Sequence, residues 1–161
     1  MYKKIKIFSS NDNRGCFEKI IDNKKKKFSQ FFFSYSKKKV FRGFHFYQKK
    51  NKSNRTIFLL KGEIIDYIVD LRKKNFGKLY KIKIKENSNY AYEIPYYFAH
   101  AFLALKESKL CYFFEKQHNN KYDLGINYKS ILPKLSKKKI IVSKRDLKHA
   151  SIQDIKKKLK F

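Results

Sequence analysis

The sequence predicts an all-β domain, folded as a sandwich or jelly-roll barrel and followed by a short C-terminal helix. Three observations predict it. Apolar and polar residues alternate with period two in many short segments, clusters of Asn, Asp, Gly and Ser separate these segments, and helix signals are few. The chain has 161 residues, of which 42% are hydrophobic and 17% aromatic, so one domain with a packed core is expected over residues 1–161.

The alternating segments follow one another along most of the chain. Strands are expected at residues 3–8, 28–35, 40–47, 56–60, 63–71, 78–85, 98–105 and 109–114. Turns are expected where polar residues and Gly cluster, at 11–15, 61–62, 75–77, 86–89 and 119–120. A helical turn or two is expected around 17–22. A C-terminal helix is expected after Ser151, which has the spacing of a capping box with Asp154.

The charge balance is strongly basic. Lys and Arg number 41 against 13 Asp and Glu, and the resulting formal net charge of +28 attracts polyanions. Nucleic-acid binding is the obvious interpretation, but only five of the basic residues are Arg, the side chain best suited to phosphates and base edges. Lys, Asn, Ile, Phe and Tyr are jointly abundant, which AT-rich codon usage also produces. We therefore expect a solvated basic surface and no nucleic-acid partner.

Several classes of protein are disfavoured by the sequence. No apolar run approaches the ~20 residues of a membrane span, and the N-terminus lacks the apolar region of a signal peptide, so a cytoplasmic protein without a membrane partner is expected. Two cysteines are too few for a disulfide framework, and both are expected to be buried thiols. The sequence has no phosphate-binding loop, dinucleotide-binding or nucleophile-elbow motif.

Two of the four histidines interrupt apolar strand segments. His45 lies in VFRGFHF at 40–46, and His100 lies in IPYYFAHAF at 94–102. His149, in contrast, lies among lysines near the C-terminus and is expected to be exposed. His45 and His100 could each be a core histidine that is hydrogen-bonded to the backbone. They could instead line a small-ligand pocket inside the barrel together with charged residues of other segments, namely Arg42, Asp66, Asp70 and Asp146.

Acid–base catalysis is the chemistry expected of such a pocket. The ordinary pKa of a histidine, near 6.5, makes His45 suitable as a general base. Barrels that bind a metal often carry two histidines separated by one residue, but Tyr47 occupies the second of these positions here. We therefore expect no metal at this site.

Six short segments, in order along the chain, match the motifs of a known family. They are DNRGCF at 12–17, FSQFFFSYS at 28–36, RGFHF at 42–46, GEIIDYIVDLR at 62–72, IPYYFAHAF at 94–102 and SKRD at 143–146. In these segments the chain resembles the dTDP-4-dehydrorhamnose 3,5-epimerases, which are cupin-fold enzymes of nucleotide-sugar biosynthesis. The resemblance implies a cupin-type double-stranded β-helix, or jelly-roll barrel, in a homodimeric enzyme that needs no metal or organic cofactor.

The resemblance also implies a mechanism and a set of site residues. His45 would remove the protons at C3 and C5 of a nucleotide-linked 4-keto-6-deoxy sugar, while Asp146 would orient its ring. Arg55, which stands where the family usually has Lys, would stabilise the enolate. Further residues would bind the substrate. Those on the matched motifs are Arg14, Phe17, Gln30, Arg42, Asp66 and His100, and Tyr112 aligns with a pocket Tyr of the family. Of these, Arg14 and Arg42 would meet the diphosphate.

The proton donor is where the sequence departs most from the family. The family's acidic Tyr falls near His118 or Asn119 here, so His118 could protonate the opposite face of the sugar. Phe32 also replaces an Asn, and Tyr97 and Ala101 replace two glycines. These departures leave open a full 3,5-epimerase, a 3-epimerase acting at one carbon, and a relative acting on another nucleotide-sugar. An inactive cupin with a polyanion-binding surface is the alternative from a different class.

Overall fold

The computed structural model describes residues 2–20, 28–47, 52–117 and 123–159, most of which lie in strands. The strands are β1 (Lys3–Lys6), β2 (Phe8–Asp12), β3 (Gly15–Lys19), β4 (Gln30–Ser36), β5 (Val40–Tyr47), β6 (Arg55–Lys61), β7 (Glu63–Asp70), β8 (Leu79–Lys85), β9 (Tyr90–Ile94), β10 (Phe98–Ala104), β11 (Ser108–Phe114), β12 (Asp123–Gly125) and β13 (Ile141–Val142). The helices are α1 (Pro133–Ser136), α2 (Lys144–Leu147) and α3 (Ile152–Lys158).

Two antiparallel sheets form a jelly roll with a core between them. One sheet has the strand order β1-β9-β6-β11-β4, and the other has the order β12-β5-β10-β7-β8, with β13 parallel to β5. Because successive side chains of a strand point to opposite faces, each sheet turns one apolar row inward. These rows supply the buried cluster between the sheets, which includes Ile57, Leu59, Ile64, Ile68, Phe98, Phe102 and Leu110. The predicted all-β jelly-roll fold is confirmed.

The C-terminal segment packs on the outer face of the second sheet. Leu135 of α1 and Ile155 of α3 join a buried cluster with apolar residues of β5, β7 and β10. Helix α3 begins with the predicted capping box, in which the Ser151 hydroxyl accepts a hydrogen bond from the Asp154 backbone N–H. This packing fixes α2 beside β5. Within the described ranges, no helix is long and apolar enough to cross a membrane.

The outer face of the first sheet is less covered. A small buried cluster of Ile7, Phe58, Ala91 and Cys111 lies there, whereas the outward side chains of β4, Phe31, Phe33 and Tyr35, are exposed. Strands β1 and β8 are edge strands, one in each sheet. Both carry rows of exposed lysines: Lys3, Lys4 and Lys6 on β1, and Lys81, Lys83 and Lys85 on β8.

One predicted element is wrong. The helical turn expected around 17–22 is a strand over residues 17–19, because β2 and β3 pair as an antiparallel hairpin. The turn between them is fixed by the Asp12 carboxylate, which accepts hydrogen bonds from the backbone and side chain of Arg14. Cys16 lies on this hairpin and is exposed, so only Cys111 is buried as expected.

Candidate active site

A cavity of about 270 Å³ lies between the two sheets. Both sheets contribute walls, since β4, β6 and β11 face β5, β10 and β12 across it. In the register of β5 against β10, His45 lies opposite His100. The cavity brings together six of the predicted site residues, namely Arg42, His45, Arg55, His100, Tyr112 and Asp146.

His45 and Asp146 form a hydrogen-bonded pair in the cavity wall. The distance between His45 Nε2 and Asp146 Oδ1 is 2.9 Å. Asp146 is held by α2, whose N-cap residue Ser143 accepts a hydrogen bond from the Asp146 N–H, and by the Gly43 N–H, which donates to Oδ2 at 3.2 Å. Burial alone would raise the pKa of Asp146, but the hydrogen bond and charge of His45 outweigh it and lower that pKa. An ionised carboxylate therefore orients the His45 ring.

Gly43 allows strand β5 to place Arg42 and His45 in the cavity wall. Its φ is +115°, and a Cβ at this position would lie 2.6 Å from the carbonyl oxygen of His100 and from the Cβ of Ala101. The register of β5 against β10 shifts at the same point. This bulge lets Arg42 and His45, which are three residues apart, face the same cavity.

Arg55 places a buried cation beside the pair. The residue is only 4% exposed, and its Nη2 donates a long hydrogen bond of 3.4 Å to the His45 carbonyl oxygen. Its guanidinium carbon lies 5.5 Å from the centre of the Tyr47 ring and 5.6 Å from that of Phe114. Burial lowers the pKa of Arg55, and its Nε has no hydrogen-bond partner among the described residues. Arg55 can therefore still donate to an anionic oxygen in the cavity.

His100, Asp66 and Tyr112 are buried polar residues at or next to the cavity. His100 Nε2 lies 2.6 Å from Asp66 Oδ1, and both residues are buried. His100 faces the cavity, whereas Asp66 is not part of the cavity lining. Burial raises the pKa of Tyr112 strongly, so its phenol stays protonated at neutral pH.

Some predicted site residues lie elsewhere. Arg14 and Phe17 are on the β2–β3 hairpin, where Arg14 pairs with Asp12 at 2.6 Å and Phe17 is 61% exposed. Gln30 begins β4 and does not line the cavity. The substrate-binding roles of these three residues stay predictions. His118 lies outside the described residues.

Asp70 does not join the pocket and instead pairs with Arg72. It is fully buried at the end of β7, where its Oδ2 accepts a hydrogen bond of 2.7 Å from Arg72. Burial alone would raise the pKa of Asp70, but the hydrogen bonds from Arg72 lower it. The pair therefore stabilises a strand end.

Several residues at the cavity were missed from the sequence, among them the polar lining residues Tyr47, Asp123 and Arg145 and the neighbouring His149. Tyr47 lines the cavity, and its spacing of two from His45 was an available signal. Asp123 and Arg145 also line it and form an ion pair of 2.7 Å. His149 was expected to be exposed, which is wrong, because its side chain is 15% exposed and its Nε2 lies 3.5 Å from Asp146 Oδ1. His149 lies just past the end of α2, so its spacing of three from Asp146 does not by itself specify this contact.

The family model described as dTDP-4-dehydrorhamnose 3,5-epimerase matches residues 3–154 of the chain. The chain belongs to this epimerase family. Among its relatives is the dTDP-4-dehydrorhamnose 3,5-epimerase of Salmonella typhimurium, which is 34% identical over 103 residues, or 63% of this chain and 56% of that protein. The match therefore spans about half the length of the curated relatives.

Solved structures of the epimerase family share the fold over nearly the whole chain. The dTDP-4-dehydrorhamnose 3,5-epimerase of Sulfolobus tokodaii is 30% identical with a TM-score of 0.83, over 94% of this chain and 90% of that one. An epimerase of Legionella pneumophila, solved in complex with dTDP-4-keto-L-rhamnose, is 25% identical with a TM-score of 0.85, over 98% and 91% of the two chains. The cupin-like jelly roll predicted from the sequence motifs is thus confirmed.

Proposed function

We propose that the protein is an epimerase that acts at C3 and C5 of a dTDP-linked 4-keto-6-deoxy sugar. The observation that carries the proposal is the meeting of a His–carboxylate pair and a buried cation in one cavity, through His45, Asp146 and Arg55. Membership of the epimerase family supports the reaction class. The nucleotide-linked substrate also favours the cytoplasm as the place of action.

The geometry suits proton abstraction next to a ketone. The C4 ketone acidifies the hydrogens at C3 and C5, because loss of either proton gives an enolate. His45 would take the proton as a neutral base while Asp146 stabilises the imidazolium that forms. Negative charge would collect on the C4 oxygen, where the Arg55 guanidinium would stabilise it. Protonation from the opposite face then inverts the carbon. The donor regains a proton from solvent, and the proton on His45 leaves to solvent.

Tyr112 is our candidate for the donor on that opposite face. It belongs to β11, in the sheet across the cavity from His45, whereas Tyr47 lies on the same strand as the base. Burial raises the pKa of both phenols, to about 12 for Tyr47, so both hold a proton at neutral pH. The donor role expected of His118 stays a prediction.

Single substitutions separate these donors. Tyr112→Phe should allow proton exchange at C3 while net inversion falls, because the enolate forms but is not protonated from the far side. Tyr47→Phe serves as the matched control, and His118→Ala tests the donor suggested by the sequence. If Tyr112→Phe inverts the sugar normally while His118→Ala loses inversion, His118 and not Tyr112 is the proton donor.

Deuterium uptake tests the proposed reaction. The protein is incubated in D₂O with dTDP-4-keto-6-deoxyglucose, and uptake at C3 and C5 is resolved by NMR. Uptake at both carbons is expected, and His45→Ala should abolish it while the circular dichroism spectrum stays unchanged. Uptake at C3 alone would contradict the C5 step, and exchange retained in His45→Ala would overturn the assigned base.

We also propose a homodimer. The β2–β3 hairpin exposes Phe8 and Phe17, and the outer face of β4 exposes Phe31 and further aromatic side chains. Exposed apolar surface of this kind marks an interaction site. A second copy placed against it could bring Arg14 to its partner's cavity, where the guanidinium would meet the diphosphate.

Mixing two inactive variants tests this arrangement. If Arg14 acts in the partner's site, Arg14→Ala and His45→Ala subunits should complement one another. Half of the dimers would then be mixed with one intact site each, so about a quarter of the wild-type activity should return. Light scattering would give the mass of the assembly, and a monomer would contradict the proposal.

A further inference from the structure

Two histidines converge on one carboxylate oxygen at the edge of the active-site cavity. Asp146 Oδ1 lies 2.9 Å from His45 Nε2 and 3.5 Å from His149 Nε2. The two imidazole rings are almost perpendicular, at 89°, with their centres 5.6 Å apart. Three potential metal-ligand atoms, one from each residue, lie within 4.8 Å of one another.

The ring of His149 is held in place by the backbone around it. Gly125 lies directly against this ring, so a Cβ at position 125 would overlap it. The chain next to His149 is fixed by the bridge between Ile126 and Ala150 and by a hydrogen bond of 2.8 Å from the Asn127 N–H to the Ala150 carbonyl oxygen. The convergence on Asp146 is therefore set by the fold.

The Nε2 atom of His149 lacks a partner in this position. It is buried, and it makes no hydrogen bond to any residue that the structure describes. Its separation of 3.5 Å from Asp146 Oδ1 is too long for a good hydrogen bond. A buried polar atom without a partner requires an explanation, and an ion bound at that point is one.

We propose that His45, Asp146 and His149 bind a divalent transition-metal ion, for which Zn²⁺ is the best match. Two imidazole nitrogens and a carboxylate oxygen form an open three-ligand set that leaves a fourth position for water. Ligands at ~2.0–2.2 Å from a tetrahedral ion lie roughly 3.3–3.6 Å apart. The two distances to Asp146 Oδ1, 2.9 and 3.5 Å, are near this range, and all three ligand atoms lie within 4.8 Å of one another.

The ion has access to the site from two sides. His45 and Asp146 line the active-site cavity, and His149 lines a second, more open concavity of about 690 Å³. Arg145 lies between the two, but its charge is compensated by the ion pair with Asp123 at 2.7 Å. Lys148 and Lys158 add positive charge to the outer concavity, so the carboxylate of Asp146 has to attract the cation against them.

Metal binding would inhibit the proposed epimerase. The ion would occupy His45 Nε2 and Asp146 Oδ1, and so replace the proton that the two residues share. This consequence rests on the proposed function, whereas the metal site itself does not.

Binding is tested with metal ions alone, independently of activity. EDTA-treated protein is titrated with Co²⁺, whose visible ligand-field bands report tetrahedral coordination, and the bound Co²⁺ is then displaced with Zn²⁺. One Co²⁺ per chain is expected. His149→Ala should weaken binding by roughly 10–100-fold or more. Gly125→Ala should also weaken it, because it keeps all three ligands but displaces the His149 ring. Lys148→Ala, a change of charge beside the site, is the matched control and should still bind.

Activity provides the second readout. Zn²⁺ should stop deuterium exchange in the wild type, and EDTA should restore it. His149→Ala should keep the uninhibited rate and resist the same Zn²⁺ concentration. Absence of Co²⁺ bands in the wild type, or equal affinity in correctly folded His149→Ala and Gly125→Ala, would overturn the metal site. Inactivity on the sugar substrate together with normal Co²⁺ binding would refute only the proposed function.

Discussion

Replacing Arg55 with Met should make the protein more stable and at the same time slow its catalysis. Arg55 is 4% exposed, no described carboxylate lies within ion-pair distance of it, and its Nε lacks a hydrogen-bond partner among the described residues. Burying a guanidinium costs free energy because its lost hydration is only partly replaced. Met is unbranched and uncharged, so it can occupy the same space beside Tyr47 and Phe114.

The expected size of the effect follows from this environment. Apolar replacement of buried ion pairs is often neutral or stabilises proteins by about 1–4 kcal/mol, and we expect the upper part of this range for an unpaired buried charge. In a chain of this length 1 kcal/mol shifts the Tm by about 2–4 °C, so Arg55→Met should raise the Tm by roughly 2–15 °C. The same substitution removes the group that stabilises the enolate oxygen, and loss of one such donor slows turnover by about 10²–10³-fold.

Differential scanning calorimetry and deuterium exchange at C3 measure the two effects. Arg55→Lys is the matched control, since it keeps the charge and should retain much more exchange without the gain in Tm. A lower Tm in Arg55→Met would show that the structure compensates the Arg55 charge after all. An exchange rate equal to that of the wild type would refute its role at the enolate.

Three further predictions concern individual hydrogen bonds and close contacts, two at the site and one at the end of β7. Asp146→Asn should slow deuterium exchange at C3 by roughly 10–150-fold, because the lost charge-assisted hydrogen bond to His45 is worth about 1.5–3 kcal/mol. An unchanged exchange rate would show that the His45–Asp146 hydrogen bond does not contribute to catalysis. Gly43→Ala should lower the free energy of unfolding in urea by about 2–5 kcal/mol. The new Cβ would lie 2.6 Å from the Cβ of Ala101, and the φ of +115° at residue 43 is unfavourable for alanine. An unchanged urea midpoint would contradict this prediction.

The third prediction concerns the pH dependence of the stability of the folded protein. Arg72 lowers the pKa of Asp70 in the folded protein below its ordinary value of 3.8, so the stabilisation is present at neutral pH and disappears as the pH falls below about that value. The urea midpoint should therefore drop in this acid range, and it should drop less in Asp70→Asn. Parallel acid profiles for the two proteins would count against the pair.

The sequence predicted most strands well because apolar side chains face the core at every second position. Strand β5 was predicted at residues 40–47, as observed, and the motif match placed His45 and Asp146 in one site. The hairpin strand β3 was missed because its side chains are all exposed, so no apolar row reveals it. His149 was missed for a different reason: its contact with Asp146 depends on where α2 ends against β12, which no local pattern specifies.

The lysine rows on β1 and β8 have a consequence for solubility. An edge strand offers unpaired N–H and C=O groups to any strand that approaches, and charged side chains on it discourage such pairing. In a chain that is 17% aromatic and exposes several Phe side chains, like charges on these edges keep separate copies apart. Salt shortens the reach of that repulsion to about 3 Å at 1 M. The excess of lysine can thus act as a colloidal stabiliser, and the protein should aggregate in concentrated salt while it stays dispersed in dilute buffer.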